Sequence, residues 1–359
     1  MDVSRSKNNS QNVDFIIVGH GLAGSVLAIH LIKAGYKICV IDEPGLSSSS
    51  KVAAGIWNPV VFKRLTKSWL ADELVPELID FYTRFGKETQ TDLITLRNII
   101  KPFTEDQEKS LWQKKAQIEN QFLDKTLYQD LQINSQEKIS SYSKVLNAGN
   151  LDMLAFLEAS KNYICSKYDY VSDKFDYEFL EKDDFGISYK GHHAKNIIFA
   201  EGYLISQNPY FNWIPMKPAK GEVLTIYCED LLIERDILNK GIFIMPLGNH
   251  QYKVGATYEW NELNDQPTEK AKKELQEKLA ALIKVPFQIM KHEAGVRPAV
   301  VDRRPVIGRH PEYSNLYVFN GFGTKAVMLA PYFAKHFMAY LEDGISLNTE
   351  VDVKRFFGK

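Results

Sequence analysis

The stretch from Asp14 to Asp42 constrains the fold more than any other part of the chain. Asp14-Phe-Ile-Ile-Val18 is a short apolar run ending in glycine, the pattern of a buried parallel strand. Gly19-His-Gly21-Leu-Ala-Gly24 follows, and Ala23 to Ala34 then shows helical spacing of Val26, Leu27, Ile29, Leu31 and Ile32 before stopping at Gly35. Lys37 to Asp42 reads as a second buried strand, so the segment is a βαβ unit with a GxGxxG in its first turn. Gly19 permits the tight turn, Gly21 lets the main chain approach a pyrophosphate, and Gly24 lets helix and strand pack closely. Phosphates would then sit on the amides that open the helix, around Leu22 and Ala23, where the helix dipole favours negative charge. Asp42 ends the second strand about 18 residues after Gly24, where a carboxylate can accept from both ribose hydroxyls of a dinucleotide. Glu43, one residue further, is the alternative for that contact.

The βαβ unit does not by itself separate FAD from NAD. The next segment, Ser49-Ser-Lys-Val-Ala-Ala-Gly55 followed by Ile-Trp-Asn-Pro59, reads as a small-residue loop. Its hydroxyls and amides (Ser50, Lys51, Ala53, Ala54, Gly55) suit a second phosphate and let a bulky ring system pass close to the backbone.

A chain of 359 residues suits two lobes. A net charge of -1 argues against a polyanion-binding surface, so no nucleic-acid partner is expected. The three cysteines lie far apart, with no histidine at metal-ligand spacing, which fits a reducing compartment and no metal centre. Residues 1–13 are polar and read as a disordered tail, not a signal peptide. No apolar run approaches the roughly 20 residues of a membrane span, so no membrane partner and a cytoplasmic location are expected.

The rest of the chain is interleaved. Helical stretches at Leu70–Phe85 and Glu105–Phe122 flank a strand at Leu93–Ile100, and a helix leads on from Leu151. Strand-like pieces fall at Phe175–Leu180, Gly186–Tyr189, Asn196–Ala200 and Lys220–Tyr227, with a hairpin pair at Gly241–Pro246 and Gln251–Thr257. Thr268–Ile283 is a charged amphipathic helix, and Leu316–Asn320 precedes Gly321-Phe-Gly323 and a helix from about Thr324 to Leu341. The expected fold is α/β (α+β overall). A Rossmann-type lobe takes residues 14–67, 150–210 and 296–345, and a mixed or antiparallel sheet takes 68–149 and 211–295. Residues 346–359 are left as a C-terminal tail.

On these ordered motifs the chain resembles the D-amino-acid oxidase superfamily of FAD enzymes, particularly its glycine oxidase and sarcosine oxidase branch. The motifs are the GxGxxG with its acid, Ala53-Ala54-Gly55, Ile198-Phe-Ala-Glu-Gly202, Pro218-Ala-Lys-Gly221 and Val254-Gly-Ala-Thr257. Gly295-Val-Arg-Pro298 with Asp302, Pro305 and Gly308, and Gly321-Phe-Gly323 before a helix, complete the series. The resemblance implies FAD in an extended pose, with Gly202 near it and a strand at Phe175–Tyr177 meeting the adenine. The turn of Gly321, Phe322, Gly323, Thr324 and Lys325 would bring the last helix's N-terminus to the pyrimidine end of the flavin, where reduction places negative charge.

The same resemblance singles out two side chains, and the residues alone a third. Arg297 occupies the Gly-x-Arg-Pro position that binds a substrate carboxylate in the glycine oxidase branch, a task suited to a guanidinium fork; the competing reading pairs it with Asp302 or Glu293. Lys253 stands where sarcosine oxidases carry a lysine that helps dioxygen react with reduced flavin, and its plain alternative is a strand lysine facing solvent. Lys325, in the first turn of the final helix, is singled out by the residues alone: it breaks the rule against a cation there, which suggests charge stabilisation at the flavin or help to Arg297 in holding an acid, and its plain alternative is an exposed lysine. The family often has His for Phe322 and Gly for Ala326, and glycine oxidase has an arginine where Thr324 stands, so the amine is left open. With no cysteine near Arg297 or the Gly321 turn, FAD is expected to be non-covalent. His192-His193 reads as a surface turn, and Lys63-Arg64 with Lys67 as a solvated segment or an entrance for an acidic substrate.

These features lead to an expected FAD-dependent oxidation of a small amine or amino acid, with hydride passing to flavin N5 and dioxygen or another acceptor reoxidising it. A flavin dehydrogenase of a 2-hydroxy acid would need a general base that the sequence does not offer. A non-catalytic redox sensor is the alternative from another class.

Overall fold

The computed structural model describes residues 11–45, 49–118, 121–131, 133, 139–183 and 186–358. Of the segments expected above, residues 1–10, Ser47, Ser48, Glu119 and Asn120 lie outside the described residues. The chain divides into two compact units, residues 1–46, 157–218 and 298–359 in the first, and 47–156 and 219–297 in the second.

The first unit carries an eight-stranded sheet. Its main path runs Val306–Arg309, Leu316–Asn320, His192–Phe199, Gln11–Val18, Ile38–Asp42 and Asp169–Ser172, parallel except at the Val306–Arg309 edge. The apolar runs alternate across it. Ile16, Val18, Cys39, Ile41, Ile197 and Phe199 join one buried cluster, while Phe15, Ile17, Val40 and Ile198 are buried on the other side. Helix Leu22–Lys33 packs there and also against the last helix, Ala326–Asp343. Each such side chain contributes roughly 1.5–3 kcal/mol on burial, which makes the register of this sheet hard to slip.

Three expectations change in this unit. The first strand begins at Gln11, because Gln11, Asn12 and Val13 pair with His192, His193 and Ala194. His192 and His193 are therefore strand residues, and the turn is Lys190-Gly191, both with positive φ. The segment after residue 345 is no tail. Val351 and Val353 are buried, Ile307 N–H donates to Val351 O at 2.9 Å, and Arg355 donates to Asp302 at 2.9 Å.

The second unit holds the other eight-stranded sheet, in the order Gln288–Arg297, Ala219–Tyr227, Gln251–Gly255, Ile242–Gly248, Ile237–Lys240, Ile94–Phe103, Ser141–Leu151, Ile56–Trp57. Every pairing is antiparallel save Ile237–Lys240 with Ile94–Phe103, so the sheet is mixed. The expected hairpin closes at Asn249 and His250, whose φ values of 50° and 56° match the right-handed twist of the strands. Residues 49–67, expected with the dinucleotide lobe, fold here. Ile56 and Trp57 pair with Asn150 and Gly149, and Trp57 Nε1 donates to Asn147 O at 2.9 Å. Their partner strand, Ser141–Leu151, was not expected, because Ser141 and Ser143 face inward where apolar residues usually announce a strand. Among the described residues no helix is long and apolar enough to cross a membrane.

Candidate functional site

In the first unit, strand Gln11–Val18 ends at Gly19, whose φ of +100° only glycine adopts without strain. A Cβ on Gly19 would stand 2.6 Å from Ala200 O, and one on Gly24 would stand 2.0 Å from Gly19 O. The glycines therefore bring turn, helix and neighbouring strand together at distances no side chain allows. Gly21 is the N-cap of helix Leu22–Lys33 and provides no side-chain cap, which leaves the helix mouth built of main chain. Asp42, and not Glu43, turns back to this mouth: its Oδ1 accepts His20 N–H at 2.8 Å and its Oδ2 accepts the Tyr170 hydroxyl at 3.3 Å. Burial first, and then the Asp42 charge, push the Tyr170 hydroxyl's pKa up, so it stays a donor. His20 Nε2 meets Ser160 Oγ at 2.9 Å, fixing the turn from behind.

The second glycine turn of this unit lies at Gly321 (φ +78°) and Gly323 (φ +57°). Phe322 is buried and packs on Phe319 at 4.8 Å, Gly323 N–H donates to Pro298 O at 3.1 Å, and Thr324 is exposed. Gly202 (φ +62°) is tied to this turn, because Asn320 Nδ2 donates to Gly202 O at 2.9 Å and Asn320 Oδ1 accepts Gly321 N–H at 2.7 Å. Lys325 ends a 3₁₀ turn, Gly323–Lys325, and is the N-cap of helix Ala326–Asp343, one position before the first turn expected for it. Burial lowers its pKa from the usual lysine value to about 8.

Phe175 does not lie on an adenine-facing strand. The edge strand is Asp169–Ser172, and Phe175 follows it in a loop leading to the 3₁₀ turn Tyr177–Phe179. Its ring stacks on Tyr189 at 4.4 Å inside the apolar cluster. The aromatic run suited a core as well as a strand, and the core claimed it.

In the second unit, Ser50 and Lys51 belong to a helical turn, Ser49–Val52, where a loop was expected. The turn packs on strand Gln288–Arg297 at Gly295, where a Cβ would stand 3.0 Å from Ser49 Cα. Ala53 N–H closes the turn onto Ser49 O, and Ala54 follows without regular structure. Gly55 (φ +68°) lies so close to Leu151 that a Cβ would stand 1.9 Å from its carbonyl oxygen.

Arg297 closes the same strand. Its guanidinium lies across Gly221, where a Cβ would stand 1.9 Å from Nη2. Nη1 donates to Lys220 O (3.4 Å) and Thr257 O (3.3 Å), and Nη2 also donates to Thr257 O at 3.3 Å. The Tyr258 ring covers the guanidinium at 4.4 Å and stacks in turn on Trp260. No carboxylate pairs with Arg297 among the described residues: Asp302 is held by Arg355, and Glu293 lies 4.0 Å from Lys253. Burial lowers the Arg297 pKa. Among the described residues Nε has no acceptor and Nη2 has only Thr257 O, so the Nε–Nη2 edge can still take a carboxylate in two parallel bonds. Lys253 is largely buried, with a side chain 13% exposed, and does not face solvent as its plain alternative required. Burial lowers its pKa while Glu293 opposes the shift.

Sequence reasoning missed Tyr170, Ser160 and Tyr258. Tyr258 directly follows the Val254-Gly-Ala-Thr257 motif and could have been found there. Tyr170 and Ser160 are far from their partners in sequence and carried no signal. In the basic stretch Lys63 and Arg64 are exposed, and Lys67 pairs with Asp72 at 2.8 Å.

A parallel sheet whose first strand feeds a glycine turn, an uncapped helix and an acid defines a dinucleotide-binding protein. The residues present fit FAD: two glycine turns leave main-chain cradles, and Asp42 stands where the ribose hydroxyls would come. The chain belongs to the DAO family of FAD dependent oxidoreductases, whose model matches residues 14–340. It is 25% identical to glycine oxidase of Bacillus licheniformis over 338 residues, 89% of this chain and 90% of that one. Its match to glycine oxidase of Pseudomonas aeruginosa, at 28% identity, is confined to 120 residues, 33% of each chain. The fold matches that of glycine oxidase from Geobacillus kaustophilus with a TM-score of 0.79 at 18% identity, covering 97% of this chain and 98% of that one. The protein is an FAD-dependent oxidoreductase.

Proposed function

We propose that the chain oxidises a small amine or amino acid whose carboxylate is anchored by Arg297. The observation that carries this reading is the desolvated guanidinium with an open Nε–Nη2 edge and no carboxylate of its own. When bound, FAD would provide the two-electron acceptor for hydride from the carbon that bears the amine. The chain's contribution is orientation: Thr257 O and Lys220 O fix the guanidinium in plane, Tyr258 shields one face from water, and a bound carboxylate is thereby fixed in direction. The small size of glycine, the substrate in the relatives' names, suits one anchoring cation.

Lys325, buried beside the start of the last helix, supplies positive charge for the reduced cofactor below pH 8 and loses it above. Lys253, whose charge Glu293 tempers, assists reoxidation by dioxygen or another acceptor. The cofactor is held without a covalent bond, since Cys39 and Cys228 are buried in the fold and Cys165 ends a helix remote in sequence from both glycine turns. Three free cysteines and the near-neutral charge fit a cytoplasmic enzyme with no nucleic-acid partner.

The test is anaerobic bleaching of the flavin across a panel of amino acids, N-methyl amines and 2-hydroxy acids. Amino acids or amines bleach it, and Arg297→Leu weakens their binding about 100-fold, as the loss of two charge-assisted bonds requires. Bleaching by hydroxy acids alone, or unchanged binding in Arg297→Leu, overturns the reading. For Lys325, the rate of reduction falls as pH rises through about 8, and Lys325→Met removes that inflection.

A further inference from the structure

Glu201 is a titratable group for which the chemistry above has no use. It follows strand His192–Phe199 beside the first glycine turn: Ala200 N–H donates to Val18 O at 2.8 Å, and Glu201 Cα lies 3.4 Å from the point a Cβ on Gly19 would occupy. The next residue, Gly202, is tied through Asn320 to the Gly321 turn. Glu201 thus stands in the short stretch that joins both glycine turns of the first unit. Among the described residues its carboxylate has only neutral donors. Oε1 accepts the Tyr177 hydroxyl, and Oε2 accepts Asn208 Nδ2 at 2.8 Å. Tyr177 packs against Phe175 and Phe199 in the apolar cluster. Asn208 is itself fixed, since its Oδ1 accepts Tyr210 N–H at 2.9 Å.

We propose that Glu201 is a positioning residue that couples the binding of FAD to the uptake of a proton. The diphosphate of FAD would bring negative charge to the Gly19 turn, which packs so closely on Ala200 and Glu201 that a Cβ on Gly19 would stand 2.6 Å from Ala200 O and 3.4 Å from Glu201 Cα. A carboxylate compensated only by neutral donors responds by holding its proton more tightly. The group is poised to do so: burial raises its pKa from 4.5 to about 7, against the opposing bonds from Tyr177 and Asn208. Tyr177 is the titratable neighbour that faces it, and burial pushes that hydroxyl's pKa up, so it remains a donor throughout. The sign follows from linkage. FAD binds best while Glu201 is neutral, and affinity falls as pH rises through the carboxyl's value in the FAD-free chain.

The experiment titrates FAD into the full chain, stripped of cofactor, by calorimetry in buffers of different ionisation enthalpy and across pH 6–9. The dissociation constant should rise about three- to tenfold between pH 6.5 and 8.5, up to the tenfold that one unit of coupling allows, with proton uptake near neutrality. Measured with Lys325→Met in both chains, so that the lysine titrating near pH 8 adds nothing to the readout, Glu201→Gln should bind FAD with no pH slope and no uptake. Tyr177→Phe removes a bond that favours the ionised form, so it should move the slope to higher pH. Uptake that persists in Glu201→Gln, or a slope that Tyr177→Phe leaves in place, overturns the proposal. Should Glu201→Gln fail to fold, Tyr177→Phe decides. The inference rests on FAD binding alone, and no substrate enters the readout, so it stands or falls separately from the Arg297 reading.

Discussion

The glycine turn of the first unit and the Arg297 corner of the second both depend on a missing Cβ, for opposite purposes. At Gly19 and Gly24 the absent atoms let main chain approach main chain, and the cradle is the backbone itself. At Gly221 the absent atom lets a side chain lie down: the guanidinium occupies the space a methyl group would fill. A backbone cradle has few ways to be built, so its sequence is stereotyped and short in range. A side-chain cradle is assembled from residues 220, 257, 258 and 297, brought together by pairing of strands, and its parts are individually ordinary. The first kind presents generic donors to any phosphate. The second presents one charge with a fixed direction.

The contrast can be broken by adding atoms. The largest effect is expected from Gly24→Val, whose side chain must displace Gly19 O from 2.0 Å. Overpacking of this sort costs about 1–3 kcal/mol or more, and the variant should emerge from a desalting column without FAD and with a lowered melting temperature. Retention of the yellow colour would show that the turn can yield at Gly19 O without losing its cradle. Gly221→Ala comes next. Its Cβ would stand 1.9 Å from Nη2, so Arg297 must swing away, and KM for a carboxylate substrate should approach that of Arg297→Leu while FAD stays bound. If FAD were lost as well, the two cradles would not be separable. The smallest effect belongs to Tyr258→Leu, which removes a ring 4.4 Å from the guanidinium. A partly exposed cation–π contact is worth roughly 0.5–1 kcal/mol, so KM should rise about threefold with kcat little changed.

What the sequence disclosed follows the same division. The βαβ unit, Asp42 and the two glycine turns were legible because each is a local pattern with a backbone reason. The sheet of the second unit was read only in part. Strand Ser141–Leu151 hides its alternation behind inward-facing serines, and residues 49–67 were assigned to the wrong neighbours because Ile56–Trp57 is too short to announce a strand. Phe175 reads as a strand residue but folds in a loop, because an aromatic run fits core and strand equally well. Lys253 stands out in the sequence, but its burial and its Glu293 neighbour follow from strand pairing that no spacing reveals. Tyr170, reaching Asp42 from 128 residues away, lay beyond any local pattern.

The closing segment of the chain has a consequence for how the protein is made. The sheet that carries the Gly19 turn takes Leu316–Asn320 as an inner strand, beside His192–Phe199, and fastens its antiparallel edge through Val351 and Arg355. During synthesis the first βαβ unit therefore leaves the ribosome about 270 residues before its inner strand, far beyond the usual span of a local folding event. The second unit, whose chain is complete at residue 297, has all its strands earlier. Nascent chains should thus complete the Arg297 corner before they can hold the cofactor, and FAD capture becomes a step that waits for the strand Leu316–Asn320.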